Sequence, residues 1–248
     1  MKTWLTGNSH TAALYRGLAQ MSPQPDDVSV YPLGSGAYEL AQFHEMRDGQ
    51  VVFTASKFAE HTEKETGQTL VNPEDRWGFV LGTQTSRLFR DPMWRTADPV
   101  EICQPGRRPV PSDMLAGIIA ADQKWVLTFL ADCKAAGVPM FVVACPPPRS
   151  DHVVIEDGAR PETVLFIDRL ARKTFTDALA KLDIPFIAPP AEVIDDAGFL
   201  KPEYFAPDKS NGRRDGHHAN DDYGQLMMAE VLSFLEGVKA RTSKAATG

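Results

Sequence analysis

The sequence predicts an α/β fold in which helices cover both faces of a mostly parallel sheet. Short, continuously apolar runs with the composition of buried strands alternate with longer segments of helical spacing. A strand that is apolar on both faces is typical of a parallel sheet, because the crossover helices lie over both of its sides. At 248 residues we expect one domain over 1–240, followed by a frayed tail over 241–248.

The individual elements follow from periodicity and from turn residues. The predicted strands cover residues 3–6, 28–33, 77–81, 140–144 and 184–188, with 51–53 as a further candidate. The predicted helices cover 11–20, 112–136, 162–182 and 221–239, with Ser112 as an N-cap and Gly137 as a C′ residue. The polar stretch 55–72 remains unassigned. The proline-rich stretch 91–111 predicts a long loop or a lid.

Four polar or glycine positions come directly after predicted strands: Ser9, Gly36, Gln84 and Arg149. The carboxyl ends of parallel strands meet at one edge of a sheet, and open α/β sheets bind their ligands outside that edge. We therefore expect these four residues to lie on one rim.

Composition excludes several classes of function. The net charge of −7, without a cluster of basic and aromatic residues, argues against a nucleic-acid or anionic-membrane partner. No apolar run approaches the roughly 20 residues that span a bilayer. Three widely spaced cysteines give neither a disulfide framework nor a zinc site, so we expect no metal and a reducing compartment. The N-terminal apolar stretch is too short for a signal peptide, so the cytoplasm is the expected location.

Two short segments at opposite ends of the chain carry the chemistry. Gly7-Asn8-Ser9-His10 closes the first apolar run, and Asp215-Gly216-His217-His218-Ala219-Asn220 opens the last helix. Together they supply a serine, a histidine and a carboxylate. In a triad of this kind the imidazole takes the serine proton, and the carboxylate fixes the tautomer of the ring.

These segments resemble the signature blocks of the SGNH (GDSL-type) hydrolases. Residues 7–10 are similar to the Gly-Asp-Ser-Leu block of that family, with Asn8 for Asp and His10 for Leu, and residues 215–220 are similar to its Asp-x-x-His block. The resemblance implies a three-layer, flavodoxin-like sandwich with about five strands, and no cofactor. It also implies Ser9 as nucleophile, His218 as base and Asp215 as its orienting carboxylate.

The resemblance is weaker at the predicted oxyanion hole. The family uses a backbone N–H at the serine, a glycine after the second strand and an asparagine side chain, which correspond to Ser9, Gly36 and a position now held by Gln84. Gln84 carries the same amide on a side chain one methylene longer. It could also be an ordinary loop residue.

Several of these residues have a second interpretation. Ser9 could be only a helix N-cap, and His217 could replace His218 as the base. His10 is expected to begin a helix rather than to take part in the chemistry. Arg149 could bind an anionic substrate group through its planar fork, or it could be a surface or loop-bracing arginine.

Three functions are compatible with these features. The leading hypothesis is a serine-dependent esterase or deacetylase acting on an O-acylated glycan or a small acyl ester. The same triad could instead transfer the acyl group to a sugar hydroxyl. A third hypothesis is a catalytically silent relative that binds a glycan. The sequence leaves the oligomeric state open.

Overall fold

A computed structural model describes residues 1–208, 212 and 214–246, with side chains described as far as residue 240. Within these residues the strands are β1 (Thr3–Asn8), β2 (Val28–Gly34), β3 (His44–Arg47), β4 (Gln50–Phe53), β5 (Leu70–Val71), β6 (Arg76–Val80), β7 (Ala97–Pro99), β8 (Arg108–Val110), β9 (Met140–Val143) and β10 (Phe186–Ile187). The helices are α1 (Thr11–Gln20), α2 (Ser56–Thr66), α3 (Ser86–Phe89), α4 (Ser112–Ala135), α5 (Val153–Glu156), α6 (Pro161–Lys181) and α7 (Asp221–Ala246). Short 3₁₀ helices lie at Gly36–Leu40, Pro92–Arg95, Val100–Ile102, Ala191–Val193 and Pro202–Tyr204.

The central sheet has five parallel strands in the order β10-β9-β6-β1-β2. This is the flavodoxin-like order, and it confirms the predicted fold class and strand number. All six residues of β1 are buried, as expected for a strand with neighbours on both edges and helices on both faces. The strand order reverses between β1 and β6, which makes the gap beyond their carboxyl ends the expected ligand site.

Alternate residues of the strands face two separate apolar layers. Leu5 and Phe141 face a layer formed with α1 and α7, which contributes Met227 among others. Trp4 and Phe79 face the layer of α4 and α6 on the other side. The period of two along each strand thus accounts for the three-layer architecture.

Helices α1 and α7 touch through their backbones. A Cβ atom added to Gly17 would lie 2.2 Å from the backbone of Gly224, and one added to Gly224 would lie 1.9 Å from the carbonyl oxygen of Ala13. No side chain fits into these two positions. The contact matters for the site because α1 starts directly beyond Ser9 and α7 directly beyond His218.

The stretch that the sequence left unassigned forms a small insertion beside the sheet. Strands β3, β4 and β5 make an antiparallel sheet, so the candidate strand at 51–53 exists but does not belong to the central sheet. Helix α2 follows β4 and buries Phe58 in an aromatic cluster with Phe53 and Phe129. The polar character of α2 reflects its long exposed face.

The prediction of a loop over 91–111 was wrong. Strands β7 and β8 pair in parallel within it, and Trp94 is buried in the apolar cluster that α4 and α6 share. Asp98 is fully buried, accepts from Thr163 Oγ1 at 2.6 Å and forms ion pairs with Arg107 and Arg160 at 2.9 and 3.0 Å. Prolines are typical of loops, but here the buried carboxylate of Asp98 ties the segment to α6.

The ends of α4 agree only partly with the sequence. Gly137 is the C′ residue with φ of 73°, as predicted. Ser112 is not the N-cap, because the helix begins at Ser112 after Pro111 and the serine hydroxyl donates to Glu101. Contrary to expectation, α4 is long and apolar enough to cross a membrane, with a mean hydropathy of 1.3 and 39% of the window buried. Core helices of globular proteins meet the same two criteria.

The last helix continues beyond its predicted end at residue 239. Helix α7 is described as far as Ala246. Residues 247 and 248 of the predicted frayed tail lie outside the described residues, so the fraying stays a prediction.

We expect Gly224→Ala to destabilise the protein by about 1–3 kcal/mol, because the new methyl group would force the backbones of α1 and α7 apart. Urea unfolding measures the change. Gly237→Ala is the matched control in the same helix, since nothing lies within 4 Å of a Cβ there. It should stabilise the helix by up to about 1 kcal/mol. Equal stability of the two variants would contradict the proposed contact.

Candidate active site

The serine and histidine predicted from opposite ends of the chain lie in contact. Ser9 follows the last residue of β1, and His218 lies three residues before α7. His218 Nε2 is 2.8 Å from Ser9 Oγ, a hydrogen-bond distance. His218 Nδ1 lies 2.8 and 2.9 Å from the two carboxylate oxygens of Asp215. Serine, imidazole and carboxylate thus form one hydrogen-bonded line, which is the arrangement that a Ser-His-Asp triad would require.

Backbone hydrogen bonds fix the loop that carries the histidine. The carbonyl of His218 accepts from the N–H of Ala206 at 3.1 Å, and the N–H of Asn220 donates to Tyr204 O at 2.9 Å. Asp215 Oδ1 also accepts from the backbone N–H of His218 at 3.2 Å. The ring and its carboxylate are therefore held by contacts that do not depend on Ser9.

Asp215 is charged over the ordinary pH range. Its partial burial raises the pKa, but the hydrogen bond and the positive charge of His218 outweigh burial and leave the pKa well below its usual range. A carboxylate in this state accepts from His218 Nδ1, which leaves Nε2 free to accept from the serine hydroxyl.

The alternative base, His217, does not contact the serine. Its ring centroid lies 4.0 Å from that of His218, and its Nδ1 is 3.9 Å from Asp215 Oδ1. Among the described residues it makes no hydrogen bond with Ser9. The Asp-x-x-His spacing therefore selected the histidine that faces the nucleophile.

Three further histidines around the triad are held neutral. Burial lowers the pKa of His10 well below its usual value, and the charge of His218 lowers it further. Burial is also the largest cause of the lowered pKa values of His217, to about 3, and of His152, to about 4. The ring of His10 packs 4.8 Å from that of His218. The sequence placed His10 at the helix start, where it is the N-cap, but did not reveal this ring contact.

The predicted oxyanion donors lie at the same rim. Gly36 is the first residue of a 3₁₀ helix, where a backbone N–H has no intrahelical partner. The Gln84 side chain packs directly on it, since a Cβ at position 36 would lie 1.9 Å from Gln84 Oε1. Gln84 Oε1 is buried and has no hydrogen-bond partner among the described residues. The longer side chain thus lies beside Gly36 with its carbonyl oxygen unpaired.

Arg149 is a bracing residue in this structure. It is buried, and it forms a two-bond fork with Asp151 at 2.9 and 2.8 Å. Its remaining terminal nitrogen donates to the carbonyls of Ala206 and His218 at 3.2 and 3.3 Å. Four of the five guanidinium N–H donors thus bond to Asp151 and to the histidine loop, and the side chain is buried, which corrects the expected substrate contact.

Glu39 and Arg87 were missed by the sequence analysis and lie beneath the oxyanion donors. Glu39 is fully buried, and its Oε2 is 3.1 Å from Arg87 NH1. Burial raises the pKa of Glu39, and the charge of Arg87 opposes the rise. Their only signal in the sequence is that both follow predicted strands, as many loop residues do.

A cavity of about 480 Å³ opens beside Ser9. Its lining is mixed: Ala12, Ala206 and Ala219 give small apolar walls, whereas polar side chains such as His218 and Asp215, and the ion pair of Arg16 with Asp221, complete it. Within the part of the chain that the structure describes, residues 91–111 do not line it. This gives the lid hypothesis no support.

Among the described residues, one group of possible metal ligands lies at this site. Ligand atoms of Asp215, His217 and His218 all lie within 4.8 Å of one another. A metal bound through His218 Nδ1 would replace the hydrogen bond that orients the ring toward Ser9. The donor set therefore competes with the triad, and the predicted absence of a metal remains a prediction.

Neither a protein-family model nor a curated protein matches this sequence. Solved structures match its fold. A protein from Bacteroides fragilis NCTC 9343, assigned as an acylhydrolase, superposes with a TM-score of 0.51 at 10% identity, over 96% of this chain and 87% of that one. A GDSL-like lipase from Bacteroides thetaiotaomicron VPI-5482 superposes with a TM-score of 0.51 at 12% identity, over 96% of this chain and 88% of that one.

A third similar structure is the periplasmic domain of the lipopolysaccharide acetyltransferase of Salmonella ser. Paratyphi A. Its TM-score is 0.50 at 12% identity, over 94% of this chain and 83% of that one. At such identities the likeness concerns the fold. The chain has the α/β architecture of GDSL-type hydrolases, which confirms the fold that the two end motifs implied.

We expect the protein to lose stability in mild acid. The folded-state pKa of His152, about 4, lies below the value near 6.5 in an unfolded chain, so the unfolded state binds more protons in between. Stability is therefore lost as the pH falls from about 6.5 toward 4, by about 1–2 kcal/mol from this group at pH 5. Urea unfolding at pH 7 and pH 5 measures this loss. The variant His152→Asn, whose side chain can still accept from the N–H of Val154, should lose correspondingly less free energy of unfolding between the two pH values than the wild type. Identical losses in both proteins would contradict this.

Proposed function

We propose that this chain, which has the SGNH-hydrolase fold, is a divergent serine hydrolase of that superfamily and cleaves carboxylic esters. The hydrogen-bonded line from Ser9 through His218 to Asp215 carries the proposal. A serine hydroxyl is a weak nucleophile until a neighbouring base takes its proton, and this arrangement provides that base and its orienting carboxylate.

In the first half of the reaction, Ser9 Oγ attacks the ester carbonyl carbon while His218 Nε2 takes the hydroxyl proton. The carbonyl oxygen becomes an oxyanion in a tetrahedral intermediate. When the intermediate collapses, the bond to the alcohol oxygen breaks, and His218 returns the proton to that oxygen. Asp215 stays ionised throughout and stabilises the imidazolium. The products are a free alcohol and an acyl group bound to Ser9.

In the second half, water takes the place of the alcohol. His218 removes a proton from the water as it attacks the acyl carbon, and then delivers that proton to Ser9 Oγ. The carboxylic acid leaves and the serine is regenerated. Every proton moves through His218, so no metal or cofactor is needed.

The oxyanion is proposed to be held by the N–H groups of Ser9 and Gly36 and by the amide of Gln84. The packing of the Gln84 side chain on Gly36 supports this assignment, with the side-chain NH2 group of Gln84 as the donor. Donors aimed in advance at the developing charge supply one of the largest contributions to such reactions.

The cavity beside Ser9 suits a short acyl ester or an O-acylated glycan. Its alanine walls leave room for a small acyl group, and the arginine in its lining, Arg16, is paired with Asp221. The same triad would make an acyltransferase if an acceptor sugar hydroxyl, rather than water, received the acyl group. The acetyltransferase domain with the same fold is the reason to include this outcome in the test.

We expect stoichiometric labelling of Ser9 by a fluorophosphonate, located by mass spectrometry. Ser9→Ala and His218→Ala should abolish labelling and lower kcat on short acyl esters by about 10⁴–10⁶, because nucleophile and base act as a unit. His217→Ala is the matched control, since it removes the adjacent ring that does not contact Ser9. It should keep at least a tenth of the labelling rate.

The other outcomes separate the alternatives. If His217→Ala and His218→Ala lowered labelling and kcat equally, the assignment of His218 as the base would be contradicted. Acyl transfer to an added sugar in preference to water would identify a transferase. A folded wild-type protein that binds glycans but neither labels nor turns over would be a silent relative, and the enzyme proposal would fail.

We expect Gln84→Ala to lower kcat by about 10²–10³ with little change in KM, because an oxyanion donor acts mainly in the transition state. Steady-state kinetics on the ester found by screening measures this. Gln123→Ala is a control at another buried glutamine, whose amide donates to Ala171 O at 2.8 Å between α4 and α6. That variant should lose stability but keep kcat. Full activity of the Gln84→Ala variant would contradict the assignment of Gln84 to the oxyanion hole.

A further inference from the structure

Glu39 joins three segments that meet at the oxyanion hole. It lies in the 3₁₀ helix that begins at Gly36, and its side chain is fully buried. Glu39 Oε1 accepts from Asn8 Nδ2 at 2.7 Å, and Oε2 accepts from the backbone N–H of Gly82 at 3.4 Å and from Arg87 at 3.1 Å. One carboxylate thus contacts the ends of β1 and β6 and the helix that follows β6.

Arg87 extends this network to Gly36. Its NH1 donates to the carbonyl of Gly36 at 2.7 Å as well as to Glu39. Its Nε and NH2 form a two-bond fork with Asp122 on α4, at 2.9 and 3.0 Å. The fork fixes the plane of the guanidinium, and with it the position of the Gly36 peptide.

Each oxyanion donor is connected to the pair. Asn8 Oδ1 accepts from the N–H of His10 at 3.0 Å, so the Asn8 side chain bridges Glu39 and the backbone on both sides of Ser9. Gly36 is held through its carbonyl. Gln84 follows two residues after Gly82.

Stability alone does not account for a buried charge pair at this place. A buried ion pair pays a large desolvation cost, and apolar residues of similar volume often serve stability equally well. Its particular contribution is geometric, because each partner makes directed hydrogen bonds to separate segments. An oxyanion hole needs this, since its donors must be held to within about 0.5 Å.

We propose that Glu39 and Arg87 are positioning residues that align the three oxyanion donors, Ser9, Gly36 and Gln84, by tying their segments to one buried ion pair. The inference rests on the proposed esterase function. Neither residue lines the cavity beside Ser9.

The test compares single and combined substitutions. Glu39→Gln and Arg87→Met each leave one buried partner without its counterpart, so both stability and kcat should fall. The combined variant, Glu39→Gln with Arg87→Met, removes both charges of the pair, and Asp122→Asn is added to it because the Asp122 carboxylate would otherwise lose its Arg87 partner. It should recover much of the melting temperature, yet kcat should stay about 10–10² below the wild type with KM within a few-fold, because the Gly36 carbonyl has lost its Arg87 donor.

Asp98→Asn is the matched control. Asp98 is also a fully buried carboxylate with arginine partners, but it lies on β7 and ties that strand to α6. It should lower the melting temperature by an amount similar to Glu39→Gln while kcat, measured below the transition, stays within two-fold. Fluorophosphonate labelling rates should follow kcat in all variants.

The outcomes are separable. If the combined variant recovers both stability and kcat, or if Asp98→Asn lowers kcat as much as Glu39→Gln, the pair is only structural and the inference fails. If the wild-type protein neither turns over esters nor labels, the proposed function fails and takes this inference with it. Active wild-type protein with a stable, slow combined variant supports both.

Discussion

The backbone contact between α1 and α7 sets the geometry on which the site depends. Helices are stiff, so where Gly17 meets Gly224 also determines where the first turns of α1 and α7 lie. Those first turns follow Ser9 and His218. A larger residue at either glycine would push α1 and α7 apart, and with them the segments that carry Ser9 and His218. The 2.8 Å between Ser9 Oγ and His218 Nε2 is therefore a consequence of helix packing as much as of the loops.

On the remaining sides of the site, arginines hold the loops that follow the strands. Arg87 donates to Gly36 O, Arg149 to the carbonyls of Ala206 and His218, and Arg172 to the carbonyls of Cys145 and Pro146. Each of these arginines is paired with a carboxylate. Loop carbonyls in a buried setting need donors, and a guanidinium supplies five from one rigid plane. The rim is thus rigid without regular secondary structure, and this fixed backbone is what an oxyanion hole requires.

The sequence was informative where a local pattern decides the structure. The strands of the central sheet and the helices α1, α4, α6 and α7 follow from apolar periodicity, and the spacing of Asp215 and His218 was enough to distinguish His218 from His217. It failed where long-range contacts decide. Asp98 holds 91–111 in place through residues more than 60 positions away, and the partners of Glu39 and Arg87 come from separate strands. Arg149 was misassigned because an arginine after a strand looks the same in sequence whether its donors face a ligand or a carbonyl.

The distance along the chain between the two halves of the triad has a consequence for biosynthesis. Ser9 is made before His218, which follows 209 residues later. At 5–20 residues per second, about 10–40 s pass between them on the ribosome. During that interval the nascent chain holds Ser9 without its imidazole partner, and the hydrogen bond between them can form only when α7 has been made and packs on α1. A chain that stops short of residue 218 therefore lacks the ring that lies 2.8 Å from Ser9 Oγ.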